Sequence, residues 1–183
     1  EDASLHARLG RIGFAATVDE EGLGSGARAL LGRAFADSAG ILLPEPFGSP
    51  EAGSLLPLGL TGKLLYRLRV EGRMAHGFRP ERGRNAVEAA ARIVAALDRL
   101  ELPTHPRYGR GNYSTLKIEG GYREYAIVVP ERCEVVITRL LVPGETRESA
   151  VADLRRLAES LELDCGVASE TPDPFYQPYL IDP

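Results

Sequence analysis

The first third of the chain carries two short apolar runs with a helical pattern between them. One run covers residues 12–18 and stops at an acidic triplet, and the other covers residues 39–43 and stops at two prolines. Residues 26–37 place apolar side chains on one helical face. Because strand, helix and strand in succession form the unit of a parallel sheet, residues 1–60 are predicted to be part of an α/β domain.

A different pattern follows a segment rich in Gly, Pro and Ser over residues 48–62. Residues 63–70 alternate between apolar and polar positions, which predicts a strand with one buried face. Further strands are predicted at residues 113–119, 134–142 and 163–169, and helices at residues 85–100 and 146–161. The order β-α-β-β-α-β over residues 61–170 is the ferredoxin-like arrangement, so the fold class is α/β followed by α+β. The proline-rich residues 171–183 are predicted to return toward the first domain.

Both predicted helices of the second domain begin at a residue suited to capping. Asn85 precedes an apolar helical stripe, and Glu88 stands three residues on, so a capping box is predicted there. Thr146 is the predicted cap of the last helix.

Composition restricts the class of protein. The 183 residues are 44% hydrophobic and 26% charged, which is ordinary for a globular protein. A net charge of −4 provides no basic field for nucleic acid or an anionic membrane, and no apolar stretch approaches the ~20 residues of a membrane span. No signal peptide is visible. Two cysteines, Cys133 and Cys165, are too few for a disulfide framework, so a reducing cytoplasm is the expected location.

Residues 76–86 join the first strand of the second domain to its first helix. The run begins at His76, which is followed by Pro80, Gly83 and the pair Asn85-Ala86. An imidazole at a strand end can donate a hydrogen bond to a developing oxyanion. The alternative interpretation is a loop histidine held by local hydrogen bonds.

Carboxylates follow both apolar runs of the first domain. Asp19, Glu20 and Glu21 follow the first run, and Glu45 stands between two prolines after the second. Ligands gather at the carboxyl ends of parallel strands, so these residues are functional candidates. Adjacent glutamates suit a hydrolytic zinc site because one can bind the metal while the other takes a proton from the metal-bound water. The alternative is a solvated acidic turn that complements a helix dipole.

Together these motifs resemble the zinc amidohydrolases that include carboxypeptidase G, succinyl-diaminopimelate desuccinylase, acetylornithine deacetylase and the aminoacylases. The resemblance covers nearly the whole chain, from Ile12 to the end. It implies that Glu20 is the general base, that Glu21 and Glu45 are ligands in a site for two ions of zinc, cobalt or manganese, and that His76 reaches the active site of a partner subunit.

The same resemblance implies a substrate, a partner and further site residues. Arg139 and Asn85 would contact the substrate, an N-acyl amino acid or small peptide, and the second domain would be a lid through which two chains form a homodimer. Two positions depart from the family's pattern. Ile127 stands where many members have a substrate-binding asparagine, and Leu23 stands where a glycine is usual.

The family also uses metal ligands that this sequence lacks. An early His-x-Asp, an aspartate bridging the two metals and a late histidine are missing, because His6 and His105, the other two of the three histidines, lack the required context. The chain is therefore expected to be a fragment of such a hydrolase. Two alternatives stay open: a non-catalytic dimerisation and scaffolding module, inactive as this chain alone, and a regulatory domain that binds a small molecule.

After zinc loading and desalting, this chain is expected to retain far less than one zinc ion per molecule. The reason is that Glu21 and Glu45 supply too few ligands, since stable zinc sites have about three or four from protein. Elemental analysis of the desalted protein measures the retained metal. Retention of about two ions per chain would contradict this account of missing ligands.

Overall fold

The computed structural model describes residues 12–33, 37–38, 40–41, 59–124, 127–171 and 176–180. The chain divides into two compact units, Glu1–Gly53 and Ser54–Pro183. No helix in these described ranges is long and apolar enough to cross a membrane.

The first unit contains one short helix, α1 (Ser25–Leu30), in its described part. The buried strand predicted at residues 12–18 is wrong: the segment is not a strand, and Ile12, Phe14 and Val18 are between 72% and 90% exposed. A short apolar run becomes a buried strand only where neighbouring strands pair with it, and the described residues of this unit provide none. The strand predicted at residues 39–43 and the candidate ligand Glu45 lie largely or wholly outside the described residues.

Helix α1 is shorter than the pattern predicts. It ends at Leu30, where the sequence pattern continued to residue 37. Gly32 follows with a φ of 69°, the left-handed conformation that commonly stops a helix and that glycine adopts at little cost.

The second unit is built on a four-stranded antiparallel sheet with two helices. Its strands are β2 (Gly62–Glu71), β5 (Asn112–Gly120), β6 (Arg132–Leu141) and β7 (Cys165–Ser169). Its helices are α2 (Ala86–Ala96), which a 3₁₀ turn extends to Arg99, and α3 (Arg147–Ser160). The sheet order is β5-β6-β2-β7, so β2 is central and β5 and β7 are edges. Along the chain these six elements follow in the order β-α-β-β-α-β.

Two small pairs of strands accompany this sheet. The first pair is β1 (Gly59–Leu60) with β8 (Tyr179–Leu180), which joins the two ends of the unit in antiparallel register. The second is β3 (Thr104–His105) with β4 (Gly109–Arg110), a hairpin within the connection from α2 to β5.

The alternation read from residues 63–70 is confirmed by the burial of β2. Leu64, Tyr66, Leu68 and Val70 are buried on one face, together with inward residues of β6 such as Val135 and Ile137. Helix α2 packs against β6, β2 and β5, and α3 packs against β7. The buried side chains, which recur every two residues along the strands and about every 3.6 residues along the helices, therefore meet in one core.

The predicted caps hold, with one difference. The Asn85 side chain accepts hydrogen bonds from the backbone N–H groups of Val87 (3.0 Å) and Glu88 (3.3 Å). The Glu88 carboxylate, however, accepts from the Asn85 side-chain amide (2.8 Å) rather than from its backbone, so the predicted capping box is incomplete. Thr146 does form a capping box, with Ser149 as the reciprocal partner.

Tyr66 provides a test of this core that depends on pH. Its side chain is fully buried, and its hydroxyl has no hydrogen-bond partner among the described residues. Burial raises the pKa of Tyr66 well above its ordinary value; Glu145 and Asp153 add to the rise, and Arg139 and Arg147 oppose it. The folded protein thus keeps this proton after the unfolded chain has lost it, and stability falls as pH rises above the unfolded value of about 10.

Tyr66→Phe is therefore expected to reduce this alkaline loss of stability, and to be neutral or stabilising by about 1 kcal/mol near neutral pH because it removes an unsatisfied hydroxyl. Urea unfolding at about pH 7 and about pH 10.5 measures both effects. Tyr122→Phe, at an exposed position, is the matched control. Identical pH dependence in the wild type and Tyr66→Phe would show that the phenol does not titrate differently in the two states.

Candidate functional site

The connection from β2 to α2 forms a closed loop, residues 73–84, which we call the His76 loop. Its base is pinned by two backbone hydrogen bonds, from Arg73 N–H to the Arg84 carbonyl (2.8 Å) and from Arg84 N–H to the Arg73 carbonyl (2.9 Å). Inside it, residues 80–82 form a single 3₁₀ turn that begins with Pro80, whose fixed φ suits such a start. A loop with paired ends and an internal turn holds its side chains in a defined arrangement.

The His76 loop also lies against the segment that leads into β6. Gly77 N–H donates to the Ile127 carbonyl (2.9 Å), and Val129 N–H donates to the Ala75 carbonyl (2.8 Å). Ile127, one of the two residues that depart from the family's pattern, is therefore a direct neighbour of the loop. The position of His76 is set by two separate stretches of the chain.

Close packing at two glycines gives a physical reason for part of the motif's spacing. A Cβ at Gly83 would lie 2.8 Å from the Arg73 carbonyl oxygen and 2.9 Å from the Ala75 side chain. A Cβ at Gly77 would lie 2.6 Å from the Ile127 side chain. Backbone atoms cannot move aside as a flexible side chain can, so Gly83 is required by the pinned base of the loop.

His76 is exposed, and its ring orientation is defined by a local bond. The Phe78 backbone N–H donates to His76 Nδ1 (3.2 Å), and the two rings lie with their centroids 5.1 Å apart. A neutral imidazole that accepts at Nδ1 carries its proton on Nε2. In this exposed residue, Nε2–H is thus available to donate to a group outside the loop, as the oxyanion hypothesis requires. The bond at Nδ1 also agrees with the alternative, a loop histidine held by local hydrogen bonds.

An open cavity of about 480 Å³ lies beside His76. The described residues that line it all belong to the His76 loop: Met74, Ala75, His76, Phe78, Arg79 and Arg82. The sequence patterns do not single out Arg79 and Arg82. The signal that could have found them is the charge of the loop, which carries four arginines and one glutamate in a chain of net charge −4.

Asn85 does not face the cavity in this structure. Its carbonyl oxygen caps α2, and its amide donates to Glu88. Both polar atoms of the side chain are therefore used within the unit, where they set the start of the helix that follows the His76 loop.

Arg139, expected to bind a substrate carboxylate, is buried in the core. Its side chain is 2% exposed and pairs with Glu145, also buried, and with Asp153 of α3 (2.9 Å). Glu145 in turn accepts from the Val142 backbone N–H (2.8 Å). A guanidinium whose charge is matched by two carboxylates inside the fold is built to hold β6, α3 and the turn between them together.

The acidic triplet lies in a turn of the first unit. Asp19 has a φ of 63°, its carboxylate accepts from the Ser25 backbone N–H (3.0 Å), and its backbone carbonyl accepts from Gly24 N–H (2.8 Å). Asp19 therefore organises the turn before α1, which agrees with the structural alternative for that residue. Glu20 and Glu21 are both exposed on the same turn.

The described residues do not by themselves fit a divalent metal ion. Among them there is no group of three or more His, Cys, Asp or Glu side chains placed to hold one. Glu20 and Glu21 lie together, but the remaining predicted ligand, Glu45, lies outside the described residues. A catalytic zinc needs about three protein ligands, so two adjacent glutamates are too few.

Comparison with known proteins identifies the family to which this chain belongs. The model of the M20 peptidase dimerisation domain matches residues 58–164, more than half of the chain, and the chain belongs to this family. The chain is 31% identical over 150 residues to a probable carboxypeptidase of Aspergillus terreus, covering 75% of this chain and 33% of that protein. It is 26% identical over 163 residues to a succinyl-diaminopimelate desuccinylase of Dinoroseobacter shibae, covering 86% of this chain and 43% of that protein.

Solved structures agree on the fold. A tripeptidase from Staphylococcus aureus superposes with a TM-score of 0.53 at 19% identity, over 68% of this chain and 32% of that one. An M20 family metallo-carboxypeptidase from Sulfolobus solfataricus superposes with a TM-score of 0.52 at 15% identity. The superposition covers 67% of this chain and 39% of that one. The family resemblance predicted from the motifs is thereby confirmed, and the chain spans about a third of the length of the fungal carboxypeptidases it matches.

Arg139→Met is expected to destabilise the second unit by about 3 kcal/mol or more, because it leaves Glu145 as a buried carboxylate without its cation. Arg156→Met is the matched control: Arg156 also pairs with Asp153 (2.5 Å) but is 67% exposed, so a change below about 0.5 kcal/mol is expected. Urea unfolding of both variants decides the matter. Equal urea midpoints for the two variants would mean that the buried ion pairs of Arg139 stabilise the fold no more than the exposed pair of Arg156.

Proposed function

We propose that this chain supplies the lid and dimerisation domain of a metal-dependent hydrolase that cleaves an amide bond of N-acyl amino acids or small peptides. The observation that carries the proposal is that the family match spans the unit whose pinned loop presents His76 to solvent. The relatives named as carboxypeptidase and succinyl-diaminopimelate desuccinylase support a hydrolase acting on bonds of this kind.

In this proposal His76 acts as an electrophilic donor. The Phe78 N–H bond to Nδ1 leaves the proton of the neutral ring on Nε2, which can then donate to a group outside the loop. A donor held in place before the reaction stabilises a developing oxyanion without reorganisation. The histidine is proposed to serve the active site of the partner subunit, since a lid that also dimerises can present it there.

The dimer is proposed to form through the lid, with β5 as the candidate edge. This strand is an edge of the sheet, and Leu116 and Ile118 on it are 56% and 49% exposed. A register shift between Thr115 and Lys117 interrupts its pairing with β6. Exposed apolar side chains on an unpaired edge favour association with a second strand. The order β5-β6-β2-β7 supports the ferredoxin-like description of this lid.

The carboxylates keep their predicted roles as proposals: Glu20 as general base, and Glu21 and Glu45 as ligands of a pair of divalent ions, zinc or else cobalt or manganese. Asn85 and Arg139 are proposed to act through the structure, since the cap of α2 and the buried ion pairs occupy their polar atoms. Free Cys133 and Cys165 are consistent with a reducing cytoplasmic location.

A second function has one observation in its favour. Because the family model that matches residues 58–164 is that of a dimerisation domain, the chain by itself is also suited to be a dimerisation and scaffolding module without turnover. The two functions are compatible if catalysis belongs to the complete protein.

The experiment that tests the proposal mixes two inactive variants of the complete enzyme. Glu20→Ala is expected to abolish turnover, and His76→Ala to lower kcat by roughly 10²-fold or more. If His76 serves the partner's site, a mixed dimer has one site with both an intact base and an intact histidine. Random exchange of subunits should then restore about a quarter of the wild-type activity.

The control replaces Glu20→Ala with the double variant Glu20→Ala/His76→Ala, for which no mixed dimer has a complete site. Native mass spectrometry confirms that mixed dimers form in both experiments. Mixed dimers without recovered activity would exclude action of His76 across the dimer. Full activity of Glu20→Ala alone would remove that residue from the mechanism.

A further inference from the structure

Two arginines of the cavity beside His76 have no acidic partner among the described residues. Neither the Arg79 nor the Arg82 side chain forms an ion pair or hydrogen bond with any carboxylate in the described part of the chain. The neighbouring Arg84, by contrast, is paired with Asp164 (3.1 Å). Within the described part of the chain, the two cavity guanidiniums are therefore positive charges without an ion-pair partner, on a protein of net negative charge.

The backbone holds these two arginines in fixed positions. Arg79 N–H donates to the His76 carbonyl (2.8 Å), and Arg82 N–H donates to the Arg79 carbonyl (3.1 Å), so both residues belong to one continuous turn that starts at His76. The Arg82 carbonyl also accepts from Arg73 Nε (2.9 Å) at the base of the loop. The backbone positions of Arg79 and Arg82, on either side of Pro80, are therefore set relative to His76.

The lining of the same cavity also includes apolar side chains. Met74 is 52% exposed and Phe78 is 80% exposed, although side chains of this size are normally covered. The lining of the cavity thus combines two exposed apolar side chains, the imidazole of His76 and two guanidiniums. A planar guanidinium binds a carboxylate through two parallel hydrogen bonds, and an exposed aromatic ring covers an apolar group.

We propose that Arg79 and Arg82 determine specificity at this site: they bind an anionic group of the substrate, while Met74 and Phe78 contact an apolar group of the same molecule. Within the substrate class of the proposed function, the preferred substrates are therefore those that combine a free carboxylate with an apolar or aromatic side chain. This inference rests on the proposed function for the identity of the site, but its binding test does not depend on turnover.

The first experiment measures binding of two probes to this chain by ¹H–¹⁵N NMR titration. N-acetyl-L-phenylalanine and N-acetyl-L-phenylalaninamide share the acyl and aromatic groups and differ in the carboxylate. The acid is expected to bind about tenfold more tightly than the amide, as charge-assisted hydrogen bonds to guanidinium predict. Amide shifts should centre on Gly77, Arg79 and Gly83. Raising the salt concentration from about 0.05 to about 0.5 M should reduce the preference, because exposed charges are screened.

The variant experiment uses Arg79→Gln/Arg82→Gln, which keeps a polar side chain at both positions but removes both charges. This variant is expected to bind acid and amide alike. The matched control is Arg69→Gln/Arg99→Gln, which makes the same change in net charge at two exposed arginines outside the His76 loop. The control should keep the tenfold preference. Circular dichroism verifies that both variants are folded.

Several results would overturn the proposal. Equal binding of both probes to the wild type, binding of neither at millimolar concentration, or an equal loss of preference in the control would each do so. So would a change in oligomeric state of Arg79→Gln/Arg82→Gln without a change in probe affinity, since the loop would then be a contact between chains. One result separates the two proposals. If the complete enzyme does not hydrolyse N-acyl amino acids or peptides but still binds the acid probe more tightly than the amide probe, the proposed function is wrong and the binding site is still supported.

In the complete enzyme the same variant gives an independent readout. Arg79→Gln/Arg82→Gln should raise KM for carboxylate substrates by about tenfold with little change in kcat, because the contact is made in both the ground and transition states. Hydrolysis of the matching amide substrates should be unaffected. A fall in kcat for both classes would instead assign the arginines to the structure of the loop.

Discussion

The pairing of β2 along both of its edges is the constraint on which the rest of the second unit depends. Its ten residues are matched one to one with β6, from Gly62 opposite Leu141 to Glu71 opposite Arg132, and its second half also pairs with β7. A shift of one residue would turn every buried side chain of β2 to the other face. The core under α2 and α3 therefore exists only in this register.

The same register determines where the candidate site lies. Because Glu71 is opposite Arg132, the residues after β2 run beside the residues before β6, and His76 comes to form a bridge with Val128. The paired backbone of Arg73 and Arg84 then returns the chain to the start of α2. The His76 loop is thus an extension of the sheet's pairing, which explains how an exposed histidine can be held in one place.

Arginines of this one unit have different roles, because some are buried beside carboxylates and others are exposed in an open cavity. Arg139 lies on the buried face of β6, where only pairing with Glu145 and Asp153 makes a charge tolerable. Arg79 and Arg82 lie in an open cavity, where water can solvate them and a ligand can displace that water. The sequence does not show which of these arginines is buried and which is exposed. The expectation that Arg139 meets the substrate followed from its motif, which contains no information about the acids that α3 and the following turn bring to it.

Local patterns were sufficient where a structure depends on near neighbours. The alternation of residues 63–70, the caps at Asn85 and Thr146 and the element order of the second unit could all be read from the chain, because capping and side-chain period act over a few residues. The first unit shows the limit of this reasoning. Residues 12–18 have the composition of a buried strand, but a strand also needs partners, and composition does not reveal whether they are present.

The sequence by itself determined the family, through a histidine, a glycine and an asparagine whose spacing suits one loop, and it determined the candidate carboxylates near the first helix. Only the tertiary structure decided that Gly83 is required by the Arg73 carbonyl, that Arg139 is enclosed by acids, and that Arg79 and Arg82 share a cavity with His76. The physical reason is that each of these relations joins atoms brought together by folding. Charge, burial and close approach are properties of that arrangement, whereas period and spacing are properties of the chain.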